Sequence, residues 1–87
     1  TSGDSMIDVG INDGDILVVD RSIEAKNRDI VIAILEGNLT VKRLLFKTNG
    51  LVVLKSENTA YKDIKIPEST DLEIWGVVTS VIHQFIK

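Results

Sequence analysis

Ile30-Val31-Ile32-Ala33-Ile34-Leu35-Glu36-Gly37-Asn38-Leu39-Thr40-Val41-Lys42-Arg43-Leu44-Leu45-Phe46-Lys47-Thr48-Asn49-Gly50-Leu51-Val52-Val53-Leu54-Lys55 is the stretch whose reading decides the fold. Ile30 to Leu35 is a short continuous apolar run of β-formers, the pattern of a buried strand. Glu36-Gly37-Asn38 closes a turn, and Leu39 to Lys47 follows as a further strand, so the two runs predict a hairpin. Thr48-Asn49-Gly50 is another turn, and Asn-Gly between two β-rich runs is a strong short-range hairpin signal. It leads into Leu51 to Lys55.

Outward from this centre the chain continues in the same style. Towards the N-terminus, Ile16-Leu17-Val18-Val19-Asp20 is another apolar run, set off by Asn12-Asp13-Gly14-Asp15, where glycine supplies positive φ and Asn/Asp bond their own backbone. Arg21 to Asp29 is a polar connection holding Glu24, Lys26, Asn27 and Arg28, to which no chemistry is assigned. Towards the C-terminus, Ser56 to Lys62 is a loop and Ile64 to Ile66 a short edge strand ended by Pro67. Leu72 to Ile86 is a long β-branched run interrupted by Gly76. Ser5 and Asp8 have capping-box spacing, which predicts a short helical turn at Ser5. The expectation is a mostly β, compact small domain of about six or more short, mainly antiparallel strands.

Eighty-seven residues make a single domain, 1–87, without room for a second core. An apolar fraction of 44% argues against disorder. There is no cysteine, which excludes thiol catalysis and zinc-thiolate sites and fits a reducing compartment such as the cytoplasm. No apolar run reaches the roughly 18 residues of a membrane span. The formal charge is −3 with no block of lysines or arginines, so direct nucleic-acid binding through a basic face is disfavoured. No cofactor or metal is expected: Asp13 and Asp15 around Gly14 lack a ligand loop and read as turn chemistry. His83, the sole histidine, reads as structural, Trp75 as core or interface, and Glu57 and Asn58 as residues that order a loop.

Two strands carry functional weight. Period-2 alternation puts Thr40, Lys42, Leu44 and Phe46 on one face. Lys42 then either snorkels to solvent past its neighbours or sits among them, where its charged form is disfavoured and its pKa falls toward neutrality. The run from Leu72 is apolar on both faces, Leu72, Ile74, Val78 and Ile82 alternating with Trp75, Val77, Val81 and Phe85. One face packs on the core, and the other is covered by a partner subunit, unless a bulge at Gly76 switches which face is inward.

Chemistry enters with Gly3-Asp4-Ser5-Met6-Ile7-Asp8. A serine before a short apolar run is commonly a helix cap, but serine with lysine is also a way to run acyl transfer without histidine. Ser2-Gly3-Asp4-Ser5-Met6, then Gly10-Ile11-Asn12-Asp13-Gly14-Asp15, then Thr40-Val41-Lys42-Arg43-Leu44 resemble the LexA/UmuD family of self-cleaving serine peptidases (S24-type). The resemblance continues through Glu57-Asn58-Thr59-Ala60-Tyr61 and Trp75-Gly76-Val77-Val78. It looks closest to UmuD and its plasmid-borne relatives, through Gly3–Asp8 and the end just after the last strand.

That resemblance implies a LexA/signal-peptidase-like β fold with Ser5 as nucleophile and neutral Lys42 as its general base. Backbone N–H groups at Asp4 and Ser5 are then the oxyanion-hole candidates, and Met6 lines the site. The family cuts a bond in its own N-terminal arm, typically after alanine or cysteine and before glycine. No such pair occurs in this chain. The expectation is therefore a catalytic core lacking that arm. The resemblance further implies the bacterial SOS response: cleavage promoted by a RecA-DNA filament, and a processed homodimer, through the Leu72–Ile86 strand, that joins a Y-family (UmuC-like) polymerase subunit. A C-terminal autocleavage and dimerisation domain of a LexA-like or phage-type repressor is the rival. Signal peptidases share the dyad but need a membrane anchor, which nothing in the chain suggests.

Overall fold

Branched side chains that stack well on a pleated surface crowd the middle of this chain, and two tight turns fold them against one another. The structure, a computed structural model, describes residues 6, 10–11, 14–57, 62–67 and 70–83. Six strands are found: β1 (Ile16–Asp20), β2 (Ile30–Leu35), β3 (Asn38–Phe46), β4 (Val52–Lys55), β5 (Ile64–Ile66) and β6 (Leu72–Ile82). They form one sheet in the order β1-β6-β2-β3-β4-β5, with every neighbouring pair antiparallel. The mostly β architecture follows the sequence reading, with no helix among the described residues. The helical turn expected at Ser5 to Asp8 lies outside those residues except for Met6, which is in a turn.

The two central hairpins close differently. Leu35 faces Asn38 across Glu36-Gly37, and both loop residues have positive φ, 49° and 84°. This is the two-residue turn whose twist matches that of the strands it joins. At the second hairpin the Lys47 N–H donates to the Leu51 carbonyl at 2.9 Å and the Gly50 N–H to the Lys47 carbonyl at 3.0 Å. Three residues, Thr48-Asn49-Gly50, therefore span the gap, with Gly50 in the left-handed position at φ 80°. The turn is where Asn-Gly predicts it, one residue longer than the tightest form.

One face of the sheet carries the core. Val31 and Ala33 of β2, Leu44 of β3, Leu54 of β4, Ile66 of β5 and Val77 of β6 form a single buried cluster, with Leu35, Val52, Ile64, Leu72 and Ile74 packed against it. Ala25, from the connection read as merely solvated, also packs there.

β6 resolves the puzzle of its two apolar faces. It is internal, paired to β2 along one edge and β1 along the other. Against β2, Gly76 faces Ile32 and Ile74 faces Ala33, so Trp75 is left over as a bulge. A one-residue slip flips alternation, and Leu72, Ile74 and Val77 consequently share the core face. A second slip, against β1, sets Ser80 opposite Val18 and Val78 opposite Val19, leaving out Thr79. The face switch weighed at Gly76 is thus what the strand does. Both edges of β6 are occupied within the chain, and Leu72, Ile74 and Val77 lie on the core face. What stays exposed is the far end of the β1–β6 ribbon, with Ile16 at 44%, Val18 at 43% and Ile82 at 47%.

Candidate active site

Lys42 stands in the middle of β3, directly opposite Val31 of β2. Leu44, two residues on along the same face, is buried with Val31 in the core. The lysine is itself only 7% exposed. Of its two readings, snorkelling and burial, the structure shows burial. Apolar surroundings solvate an ammonium poorly, so burial holds the Lys42 pKa below the ordinary lysine value. An amine of that kind is available as a base at lower pH than a surface lysine.

Of the other sequence-predicted site residues, Met6 is described; Asp4 and Ser5 lie outside the described residues. Met6 is 2% exposed. Its carbonyl accepts the Ile11 N–H at 3.2 Å, closing the turn in which it lies. Its Sδ accepts the backbone N–H of Glu57 at 3.4 Å. Glu57 in turn binds Arg43, Nε to Oε1 at 2.6 Å. A chain of contacts therefore runs from the residue after Ser5, through the end of β4, to the residue after Lys42. Arg43 donates as well, from Nη1, to the carbonyl of Arg28 at 2.6 Å.

Arg28 has φ 78°, a left-handed backbone that a bulky residue adopts only when its surroundings enforce it. They do so here. The Arg28 N–H donates to the Leu44 carbonyl at 2.7 Å and the Leu44 N–H to the Asp29 carbonyl at 2.8 Å, while Asn27 Oδ1 accepts the Phe46 N–H at 2.8 Å. The segment before β2 is thereby laced along the lysine's own strand. Nothing in its polar composition announces this, because the partners are backbone groups supplied by β3.

Two other contacts also escaped the sequence reading. His83 Nδ1 meets Asp15 Oδ2 at 2.8 Å, joining the end of β6 to the loop before β1, and its partner is a buried aspartate read as turn chemistry. The Arg21 guanidinium lies 4.2 Å from the Trp75 ring centroid, and its Nε donates to the Trp75 carbonyl at 2.9 Å, a cation–π arrangement. Arg21 and Trp75 border an open cavity of about 380 Å³ whose apolar wall includes Ile23, Leu44, Phe46, Val52 and Ile74. Leu44 and Phe46 belong to the face of β3 that carries Lys42, so the lysine and the groove share one side of the sheet. Among the described residues no group of three or more His, Cys, Asp or Glu side chains could hold a metal, and no helix is long and apolar enough to cross a membrane.

Comparison with known proteins gives the family. A LexA repressor from Oleidesulfovibrio alaskensis is 49% identical over 78 residues, covering 90% of this chain and 37% of the repressor. Protein MucA from Escherichia coli is 44% identical over 86 residues, covering 99% of this chain and 56% of MucA. Protein ImpA from Escherichia coli is 42% identical over 83 residues, 95% of this chain and 55% of ImpA. The chain thus spans between about a third and just over half the length of these relatives. The Peptidase S24-like family matches residues 1–79, almost the whole sheet together with the segment that precedes it, and the chain belongs to that family, the LexA/UmuD group of serine peptidases.

Proposed function

We propose that the chain is the peptidase domain, residues 1–87, of a self-cleaving UmuD-type protein, with Ser5 as nucleophile and Lys42 as general base. The observation that carries this reading is the burial of Lys42 between Val31 and Leu44, with its ammonium form disfavoured by burial. Serine is a weak nucleophile until a neighbour takes its proton, and only a neutral amine can take it. In the reaction, Ser5 Oγ attacks the carbonyl carbon of the scissile peptide while its proton passes to Lys42 Nζ. The tetrahedral oxyanion is held by backbone N–H groups at Asp4 and Ser5. Lys42 then returns the proton to the leaving amine as the C–N bond breaks, leaving an ester on Ser5. Water, deprotonated by the same lysine, hydrolyses that ester. Met6 lines the site, and its contact with Glu57 supports the turn beside the nucleophile.

The family resemblance extends the reading to biology. Cleavage is promoted by a RecA-DNA filament during the SOS response in the cytoplasm, and the processed homodimer serves a Y-family translesion polymerase subunit. The exposed Ile16, Val18 and Ile82 at the end of the β1–β6 ribbon are the surface on which a second copy would pack. The MucA alignment reaches 99% of the chain and the LexA alignment 90%, which favours the UmuD-type context. The higher identity to the LexA repressor, 49% against 44%, keeps a repressor's C-terminal domain as the second reading.

The test is cleavage in trans of a peptide carrying an Ala-Gly bond. The rate should rise with pH as Lys42 loses its proton, and Ser5→Ala and Lys42→Ala should each lower it by at least about a thousandfold. Cleavage that persists in either variant removes the dyad.

A further inference from the structure

The connection between β1 and β2 is polar in sequence, yet it is fastened at both ends across the core side of the sheet. At its start, Arg21 Nε donates to the Trp75 carbonyl of β6 at 2.9 Å. Towards its end, Asn27 Oδ1 accepts the Phe46 N–H of β3 at 2.8 Å. Between these ties Ala25 packs on the buried cluster. The strap so formed is one wall of the open cavity of about 380 Å³, whose floor is apolar, with Leu44 of β3, Val52 of β4 and Ile74 of β6. That volume lies within the roughly 300–1,000 Å³ of pockets that take a ligand.

The mouth of this cavity is not finished as a solvent surface. Ile23, at 41% exposure, and Phe46, at 48%, are two of the six large apolar side chains left exposed among the described residues, and both border it. Beside them stands a prepared cation. The Arg21 guanidinium lies 4.2 Å from the Trp75 ring centroid. With Nε committed to the Trp75 carbonyl, its two terminal nitrogens have no partner among the described residues. A guanidinium held by a ring and a carbonyl has already lost much of its freedom, so a carboxylate gains two parallel N–H···O bonds at little further ordering cost. Arginine and tryptophan beside an apolar pocket are also side chains that often carry binding energy. Glu24, on the same strap, borders the cavity as well; its charge opposes a second acid there and gives the groove a polarity.

We propose that the groove between the Arg21–Asn27 strap and the sheet docks an extended peptide segment of a partner protein. The segment inserts a bulky apolar side chain over Leu44 and Ile74 and sets an aspartate or glutamate beside it on Arg21. Nucleic acid does not fit, because one guanidinium next to a carboxylate offers phosphates no continuous cationic track. Docking requires neither Ser5 nor Lys42, so it stands or falls apart from the dyad.

The experiment is selection of linear dodecapeptides displayed on phage against the whole chain carrying Ser5→Ala, which removes the proposed nucleophile. Selected sequences should share a leucine, isoleucine or aromatic residue flanked on one side by aspartate or glutamate. A selected peptide, fluorescein-labelled, should then bind with a Kd raised at least about tenfold by Arg21→Gln and by Ile23→Ser, both at exposed positions. Ile82→Thr, at an exposed apolar site outside the groove, should leave that Kd unchanged. Selection against Arg21→Glu should exchange the acidic residue for lysine or arginine. Thermal melts check that each variant folds, and Phe46→Ser replaces Ile23→Ser should the latter not. No enrichment over a plate without protein, or peptides whose Kd is the same with and without Arg21→Gln, overturns the proposal. So does self-association in sedimentation velocity that Phe46→Ser abolishes, which would make the groove a contact between copies.

Discussion

At one end of the sheet a lysine is buried, and at the other isoleucines are exposed. Lys42, on β3 between β2 and β4, is 7% exposed, while Ile16 and Ile82, facing each other on β1 and β6, stand at 44% and 47%. Both departures run against what each side chain prefers. The β2–β5 half holds its charge beside the apolar cluster, five of whose six members it supplies, while the Arg43–Glu57 pair lies on the opposite face. The β1–β6 ribbon is bulged and incompletely covered. The difference teaches that the packing of this domain is concentrated around one costly cation, while exposed apolar side chains stand away from it, on the β1–β6 ribbon and also at Leu39 and Phe46 near the ends of β3.

The sharpest way to break this comparison is to hollow the packed half. Leu54 is fully buried, so Leu54→Ala should cost about 2–5 kcal/mol, read as a lower denaturant midpoint in urea. A cost below 1 kcal/mol would mean that the half holding Lys42 is no better packed than the ribbon. Second comes the crossing of the two halves at Gly76. An added Cβ there would collide with Val19 Cγ1 and stand 3.4 Å from the Asp20 carbonyl. Gly76→Ala should therefore destabilise by about 1–3 kcal/mol through overpacking, with wild-type stability in thermal melts as the contrary outcome.

A smaller effect tests the buried charge directly. Because the pKa of Lys42 is lowered in the folded state, the unfolded chain binds more protons between that value and the ordinary 10.5. Stability should therefore rise with pH through this window. Lys42→Met, which keeps the stem and removes the charge, should raise Tm at neutral pH, where about 4–8 °C corresponds to each kcal/mol in a domain of this size. Its advantage should shrink as pH approaches 10.5; a Tm gap independent of pH would contradict the burial cost. The smallest effect belongs to the ribbon. Ile82→Thr should change monomer stability by less than about 0.5 kcal/mol, yet weaken self-association in sedimentation velocity. A large loss of stability would show that Ile82 already serves the core.

Much of the fold could be read from residues. The positions of β1, β2 and β5, and the turns at Glu36-Gly37 and Thr48–Gly50, follow from apolar runs punctuated by glycine, because those signals act within a few residues. The shared face of Lys42 and Leu44 followed for the same reason, since alternation along a strand is local geometry. The order of strands did not. β6, last in the chain, lies second in the sheet, and its Gly76 sits against Val19 of β1, a contact between residues far apart in sequence. The Arg43–Glu57 and Asp15–His83 pairs were illegible likewise: each is two ordinary polar residues until the sheet closes.

By itself, then, the sequence determined that this chain folds as short strands joined by glycine turns, and its ordered motifs mark it as an S24 peptidase. Only the tertiary structure decided that Lys42 is inside. Alternation assigns a side chain to a face but does not say what covers that face; the cover comes from β2, from the end of β4 and from their burial in common. A lysine's proton affinity depends on that surrounding dielectric, which no local pattern encodes.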